Sequence, residues 1–464
     1  MISSLFPFSG FSPIPSISGL AVDRFIREQH ERLLRIKRSW EAYEGKLPDT
    51  HVVRPEGFDD NTKINISKVI VDTSVSCLFG QDLKFAVNDI DIRTEEDNYL
   101  AKFWNFNKKQ SFLKKLGVSG AISGHVFVKM VLDEGSPYPR LIILDPSTVM
   151  ALWDPTDIDR VVEFRIEWAG IDPVIGRPVA FRQTITRTED GQNEENWQII
   201  DEKAVSEGKF EEIGRDNWPF PWPPIFHCQN LAIPNEFYGM PDISEDIIHL
   251  NRAINFIATN INRIIRFHAH PKTWGKGFRQ EQLQIGVDDV IIINNVDGTL
   301  QNLEMQSDLG SSMEFYMRLL EAIHSVARTP QVATGRTEEL GALSGTALRL
   351  MYQPLVQKTW DKRLTYGDLL REICSRALEV GGFGADNEIH ILWPEIVPID
   401  DMTMAQTMEI QSRLGVSTNT ILRKLGYQPE QEMQRKMGEI SPPPAAGRTN
   451  EQADSEQVQS SNPP

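Results

Sequence analysis

The feature that leaves this chain least freedom is a seam of aliphatic residues in the stretch from Gly239 to Tyr352. Ile243, Ile247, Leu250, Ile254, Ile257, Ile261 and Ile264 recur in alternating steps of four and three residues. On a helix that spacing puts all of them on one narrow stripe, as in helices that pack on neighbours at a shallow angle. Pro241 suits a first helical turn, where a missing N–H costs nothing, and Asp242, Glu245 and Asp246 favour the positive end of the helix dipole. The next proline is Pro271. A helix over 241–267, about 27 residues and roughly 40 Å long, is therefore expected.

Beyond the seam the chain reads as a tip and a return. VIIINN (290–295) and TLQNLEM (299–305) flank Val296-Asp297-Gly298, a hairpin signal because Asp-Gly tolerates the positive φ of a tight turn. A second helical pattern covers 311–328. TGRTEELGALSG is too rich in glycine for a packed element, and a third helix starts near Thr346. Helix out, hairpin, helix back and loop describe a rod with a head.

Upstream, 464 residues suffice for a substantial core and more than one module. Residues 1–20 are apolar but broken by Pro7, Pro13 and Pro15 and lack a basic leader, so they read as an arm and not a signal peptide. Residues 21–44 form an amphipathic helix with an apolar stripe of Phe25, Leu33, Ile36, Trp40 and Tyr43. Its interleaved arginines, lysines and glutamates read as a solvated face. Helices are expected over 65–78, 97–105 and 111–121, and an alternating strand comes after Gly124, its lone His125 structural in character. PRLIILDPSTVMALWD reads as a buried strand leading to a turn at Asp145-Pro146. From Val161 to Ile213 the pattern is a β-meander with an exposed tip around Asp190-Gly191. Prolines crowd 218–230, an extended connector that cannot be a central strand; Trp218 and Trp222 read as packing residues there.

Downstream, the helical pattern from Thr346 to Gly381-Gly382 contains Pro354, where a kink is expected. A short strand, EIHILWPEI, comes next, then two short helices with Asp400 and Ser417 as caps, closed near Gly426. Residues 441–464 have almost nothing to bury and read as disordered.

Composition narrows function mainly by exclusion. The net charge of −17 disfavours a protein that grips nucleic acid through phosphate neutralisation. Cys77, Cys228 and Cys374 are few and far apart, which fits a reducing interior and suggests neither a disulfide framework nor a zinc site. No run of about 18 apolar residues could cross a bilayer. No phosphate-binding G-x-x-x-x-G-K-[ST] loop occurs, and the glycine-rich stretch 335–345 lacks its lysine. Asp288 with Asp289, and Asp400 with Asp401, are neighbours that point apart on a strand, and His268 with His270 lack further ligands. Neither catalytic residues, a cofactor nor a metal is expected.

The order of these parts resembles the portal proteins of tailed double-stranded-DNA bacteriophages. The likeness is carried by NISKVIVDTSVSCLFGQDLKF, GVSGAISGHVFVKM, IPNEFYGMPDISEDIIHLNRAIN, TGRTEELGALSGTALRLMY and LGVSTNTILRKLGY, and covers most of 20–430. It implies an α+β, mainly α, subunit of a closed ring, commonly dodecameric, at one vertex of the capsid. After the arm (1–20), a wing would span 21–240, a first stem helix 241–267, a clip 268–308 and a second stem helix 309–329. A tunnel loop would span 330–345, a long kinked helix 346–384, a crown 385–440 and a tail 441–464. Thr334, Gly335, Arg336, Glu338, Glu339, Ser344 and Gly345 would face the DNA; Lys272, Trp274, Lys276 and Arg279 would lie on the docking surface of the clip. The implied partners are further copies of the chain, passing duplex DNA, the terminase large subunit, head-completion and neck adaptor proteins, and the major capsid and scaffolding proteins. The implied location is the virion, after assembly in the bacterial cytoplasm, with no membrane role. The alternatives are another ring-forming neck adaptor, disfavoured by the long rod, and a packaging ATPase or nuclease, disfavoured by the missing phosphate loop and carboxylate cluster.

Overall fold

A computed structural model describes residues 17–46, 61–90, 93–172, 176–189, 195–206, 208–269, 273–276, 299–302, 309–334, 345–384, 386–396, 401–424 and 429–440. Two compact units result, Met1–Val397 and Pro398–Pro464.

In the first unit, helix α1 (Ile17–Glu44) precedes α2 (Ile66–Phe79). The side chain of Asn65 caps α2 by accepting from the Lys68 N–H. Strand β1 (Lys84–Val87) leads to α3 (Glu95–Phe106), which opens on a reciprocal capping box between Thr94 and Asp97. Helix α4 (Lys109–Ser123) ends at Gly124, whose φ of +87° supplies the left-handed turn into β2 (His125–Val131). Strand β3 (Arg140–Leu144) is next, and the turn at Asp145 passes the chain to β4 (Val149–Asp154) in a different sheet. The expected buried strand is thus two strands, and of β3 only Leu141 is fully buried.

Strands β5 (Asp157–Ile171), β6 (Pro178–Glu189), β7 (Glu195–Ser206) and β8 (Lys209–Trp218) complete an antiparallel meander in the order β4-β5-β6-β7-β8. Its inner half contributes Phe164, Ile166, Ile185 and Trp197 to the core, while Ile171 at the far end is 72% exposed. The proline connector then enters β9 (Ile225–Gln229), an edge strand of the three-stranded sheet β3-β2-β9, the position a strand fed by prolines can occupy. Trp218 and Trp222 are buried packing residues, and the Trp222 indole donates to Glu379 Oε2 at 2.8 Å.

Helix α5 (Glu245–Ala269), strands β10 (Thr273–Lys276) and β11 (Thr299–Asn302), and α6 (Leu309–Val326) come next in the chain. Strand β11 pairs antiparallel with β10; residues 290–298, the other half of the expected hairpin, lie outside the described residues. Helix α7 (Gly345–Val380) contains Pro354, and β12 (Ile389–Leu392) returns to pair with β1. That pairing ties 389–392 to the first unit, which ends at Val397. One core gathers α3, α4, both larger sheets and the second half of α7; the other gathers α1, α2, α4, α5 and α6.

The second unit holds α8 (Asp401–Arg413), α9 (Thr418–Lys424) and α10 (Pro429–Ile440). Ser417 caps α9, its Oγ accepting from the Thr420 N–H at 3.3 Å. Helix α10 extends past Gly426, where the sequence pattern had offered no further element. The tail 441–464 and the arm 1–16 lie outside the described residues.

Candidate functional site

The hairpin α5–α6 and its root are the part of the fold that the sequence singles out. Helix α5 starts at Glu245, not at Pro241. Pro241 and Asp242 instead sit in an extended turn, with Met240 bridged to Leu231 and the Asp242 N–H donating to Ala121 O at 2.7 Å. Three stretches of backbone converge there: a Cβ on Gly124 would stand 2.5 Å from Gly239 O and 3.0 Å from Pro241 N, and one on Gly239 would stand 2.6 Å from Leu231 O. Two of the stretches that carry the portal likeness, 117–130 and 233–255, therefore meet at one junction through their glycines.

Of the seam, Ile243, Ile247, Ile254 and Ile261 are buried, and Leu250, Ile257 and Ile264 are half-buried. At the root they pack with α1, α2, α4 and the end of α6, so this part of the seam is intramolecular core. Ile243 joins that core from ahead of the helix.

A second face of α5 escaped the sequence reading. Asn251 Oδ1 accepts from the Ile66 and Ser67 N–H groups at 2.8 and 3.1 Å, and its amide donates to Ile64 O at 2.9 Å. Asn255 Oδ1 accepts from the Ile64 N–H at 2.9 Å, and Thr259 Oγ1 accepts from the Thr62 N–H at 3.0 Å. Steps of four residues stack these side chains on one face, where they partner the backbone of 62–64 and the first N–H groups of α2, which have no acceptor within their own helix. The signal was present as polar residues at 251, 255 and 259 beside the apolar seam.

Asp242 is the electrostatic centre of the root. It is completely buried, with Lys362 Nζ 2.6 Å and Lys358 Nζ 3.5 Å from its oxygens, and Asn230 Nδ2 donates to it at 3.2 Å. Burial alone would raise its pKa, but the two lysines hold the carboxyl well below the usual range. Burial pulls Lys362 down to about 8, partly opposed by Asp242, which leaves its ammonium charged at neutral pH. Lys362 also donates to Ser74 Oγ at 2.9 Å, and the Tyr366 hydroxyl donates to Asn230 Oδ1 at 3.1 Å. The expectation that Asp242 serves a helix dipole is therefore corrected: its charge is spent on α7.

Helix α1 carries a second correction. Arg32 is 5% exposed, not solvated. It donates to Pro146 O and Val149 O, both at 3.0 Å, lies 3.1 Å from His125 Nε2, and stacks 4.3 Å from the Tyr238 ring centroid. Beneath it, burial foremost and the nearby arginine charge push His125 well down and His227 to about 3, so both imidazoles are neutral. His125 is structural, as its place in a buried strand suggested.

The remaining predicted residues are placed only in part. Thr334 closes a 3-10 turn (331–334), its hydroxyl donating to Gln331 O at 2.7 Å, and Gly345 begins α7. Gly335, Arg336, Glu338, Glu339 and Ser344 lie outside the described residues. Trp274 and Lys276 are on β10, opposite Gln301 and Thr299, while Lys272 and Arg279 lie outside the described residues. Clefts of about 630 and 650 Å3 border the meander and lie apart from these positions. Among the described residues no group of three His, Cys, Asp or Glu could hold a metal, and no described helix is long and apolar enough to cross a membrane.

Exposed apolar side chains lie on all three helices: Ile265 on α5, Met313, Phe315 and Met317 on α6, and Leu350, Trp360 and Leu364 on α7. Exposed apolar residues along long paired helices carried on a helix–sheet body mark a surface suited to contact with another protein. The family profile described as "Phage portal protein, SPP1 Gp6-like" matches residues 22–440, and the chain belongs to that family of structural proteins. A comparison with curated protein sequences gives no match. Among solved structures, a chain from the virion of a native gene transfer agent particle is 14% identical, with 86% of this chain and 94% of that one covered and a TM-score of 0.45. A chain from the neck of an empty gene transfer agent particle, computed with C6 symmetry, is 16% identical over 85% and 94%, with a TM-score of 0.46.

Proposed function

We propose that this portal protein assembles as a closed ring at one capsid vertex, with α5 and α6 as stem helices around a channel for genomic DNA. The observation that carries this reading is the family match over nearly the whole chain. The bare apolar residues of α5, α6 and α7 support it, since a second copy would cover them. In this reading 268–308 is the clip, with Lys272, Trp274, Lys276 and Arg279 facing the terminase large subunit during packaging and neck adaptor proteins afterwards. Residues 330–345 are the tunnel loop, the α8–α10 unit lies in the crown, and the assembled ring resides in the virion.

The acidic balance suits a conduit. Each phosphate neutralised by a wall cation adds affinity and hence friction, whereas a chain of net charge −17 repels the duplex towards the axis of the ring. Arg336 beside Glu338 and Glu339 gives the loop a mixed character that guides without gripping. Native mass measurement with end-on electron micrographs tests the ring: a closed oligomer with a central hole is expected, and a monomer or dimer at assembly concentrations refutes the reading. For the loop, Glu338→Lys with Glu339→Lys is expected to slow packaging, and unchanged DNA filling removes that assignment.

A further inference from the structure

Helix α7 touches both ends of the α5–α6 hairpin through consecutive turns. Lys362 holds Asp242, just ahead of α5. Lys358, one turn earlier, donates to Ala327 O at 3.1 Å, where α6 has just ended, and is 3.5 Å from Asp242. The two ammonium groups share one carboxylate, and the second is satisfied by the negative end of the α6 dipole. All three side chains are buried, at 1%, 4% and 0% exposure for Lys362, Lys358 and Asp242.

Stability alone does not account for this arrangement. Apolar side chains of similar volume would fill the same space without taking three charges out of water. What charges add is register. The buried apolar cluster that holds Ile243, Ile247, Leu320 and Ile323 is drawn, among the described residues, from α1, α2, α4, α5 and α6 and not from α7, so it does not set where α7 stands along the root. A shift of α7 by one turn, about 5.4 Å, would set Lys358 against Asp242 or Lys362 against Ala327 O. Either shift leaves a buried charge without its partner, which is strongly disfavoured.

We infer that Lys358 and Lys362 are positioning residues, a two-point latch that locks α7 to the root of the α5–α6 hairpin in a single register. The latch fixes the root of the hairpin to the helix that comes after 335–344. Only its relevance to a DNA channel rests on the portal reading.

Hydrogen–deuterium exchange on the full chain tests the latch. Lys358→Met is expected to speed exchange at 327–330 at least tenfold, and Lys362→Met to do so at 242–248, with amides of β2 unchanged. The combined Asp242→Leu, Lys358→Met and Lys362→Met chain is expected to keep its thermal stability and still exchange at least tenfold faster at the root. Root exchange like that of the unaltered chain in the combined variant, or an equal rise everywhere including β2, overturns the inference. Should the combined variant not fold, Lys358→Gln, which keeps a donor and drops the charge, decides by the same two outcomes. A chain that proved monomeric would refute the ring and leave the latch standing.

Discussion

Replacing Gly124 with alanine isolates the contact on which the junction depends. Gly124 has φ +87°, which costs a residue with a Cβ about 1–2 kcal/mol. The added methyl would also stand 2.5 Å from Gly239 O, 3.0 Å from Pro241 N and 3.1 Å from Met240 C. All three are backbone atoms in a segment held by the Leu231–Met240 bridge and by Asn230, whose N–H donates to Gly124 O at 2.8 Å. Because this backbone cannot swing aside as a side chain could, an overpacking cost of about 1–3 kcal/mol is added. Gly124→Ala should therefore lose about 2–5 kcal/mol. Gly135 supplies the control: its φ is +76° and a Cβ there meets nothing within 4 Å, so Gly135→Ala should lose only the conformational part, about 1–2 kcal/mol. Urea denaturation followed by tryptophan fluorescence measures both variants. Equal losses, to within about 0.5 kcal/mol, would show that the backbones at the junction are not in close contact and refute the reasoning.

Asn251→Leu leaves the Asn65 cap of α2 in place but strands the buried N–H groups of Ile66 and Ser67, for a loss of about 2–4 kcal/mol in the same assay; a loss below about 1 kcal/mol refutes the ladder on α5. His227 is neutral in the fold with its pKa down at about 3, against an unfolded value of about 6.5. Its contribution is therefore complete above pH 6.5 and falls as pH drops from there towards 3, by at most about 1.4 kcal/mol per pH unit. His227→Leu should flatten the stability profile between pH 6.5 and 4.5, and an unaltered slope there rules out this source of acid sensitivity.

Periodicity revealed the helices because an amphipathic pattern needs only a core on one side, whatever that core contains. The seam, the meander and the helix over 346–380 could all be read in this way, while the prolines of 218–230 showed only an extended connector, in which β9 proves to be an edge strand. The start of α5 could not, because Pro241 and three early acids resemble a first turn; the Ala121 carbonyl and the α7 lysines claim that stretch instead. Strand β12 was expected at the head of a separate segment, yet it pairs with β1 some 300 positions earlier, a separation over which a four-residue pattern carries no information. For the candidate site, the seam was legible and the polar ladder beside it was not, since Asn251, Asn255 and Thr259 resemble an ordinary solvated face until chain 62–67 lies on them.

By itself the sequence determined which segments become helix or strand and which of their faces are apolar, since spacing, caps and prolines act within a few residues. It also determined the portal family, through the order of those segments. The tertiary structure alone decided which charges go inside. Arg32 meets Val149, Asn251 meets Ile66 and Lys362 meets Ser74, partners up to 288 positions apart. A buried polar group is stable only beside a particular partner, and no local pattern records where a distant partner will come to lie.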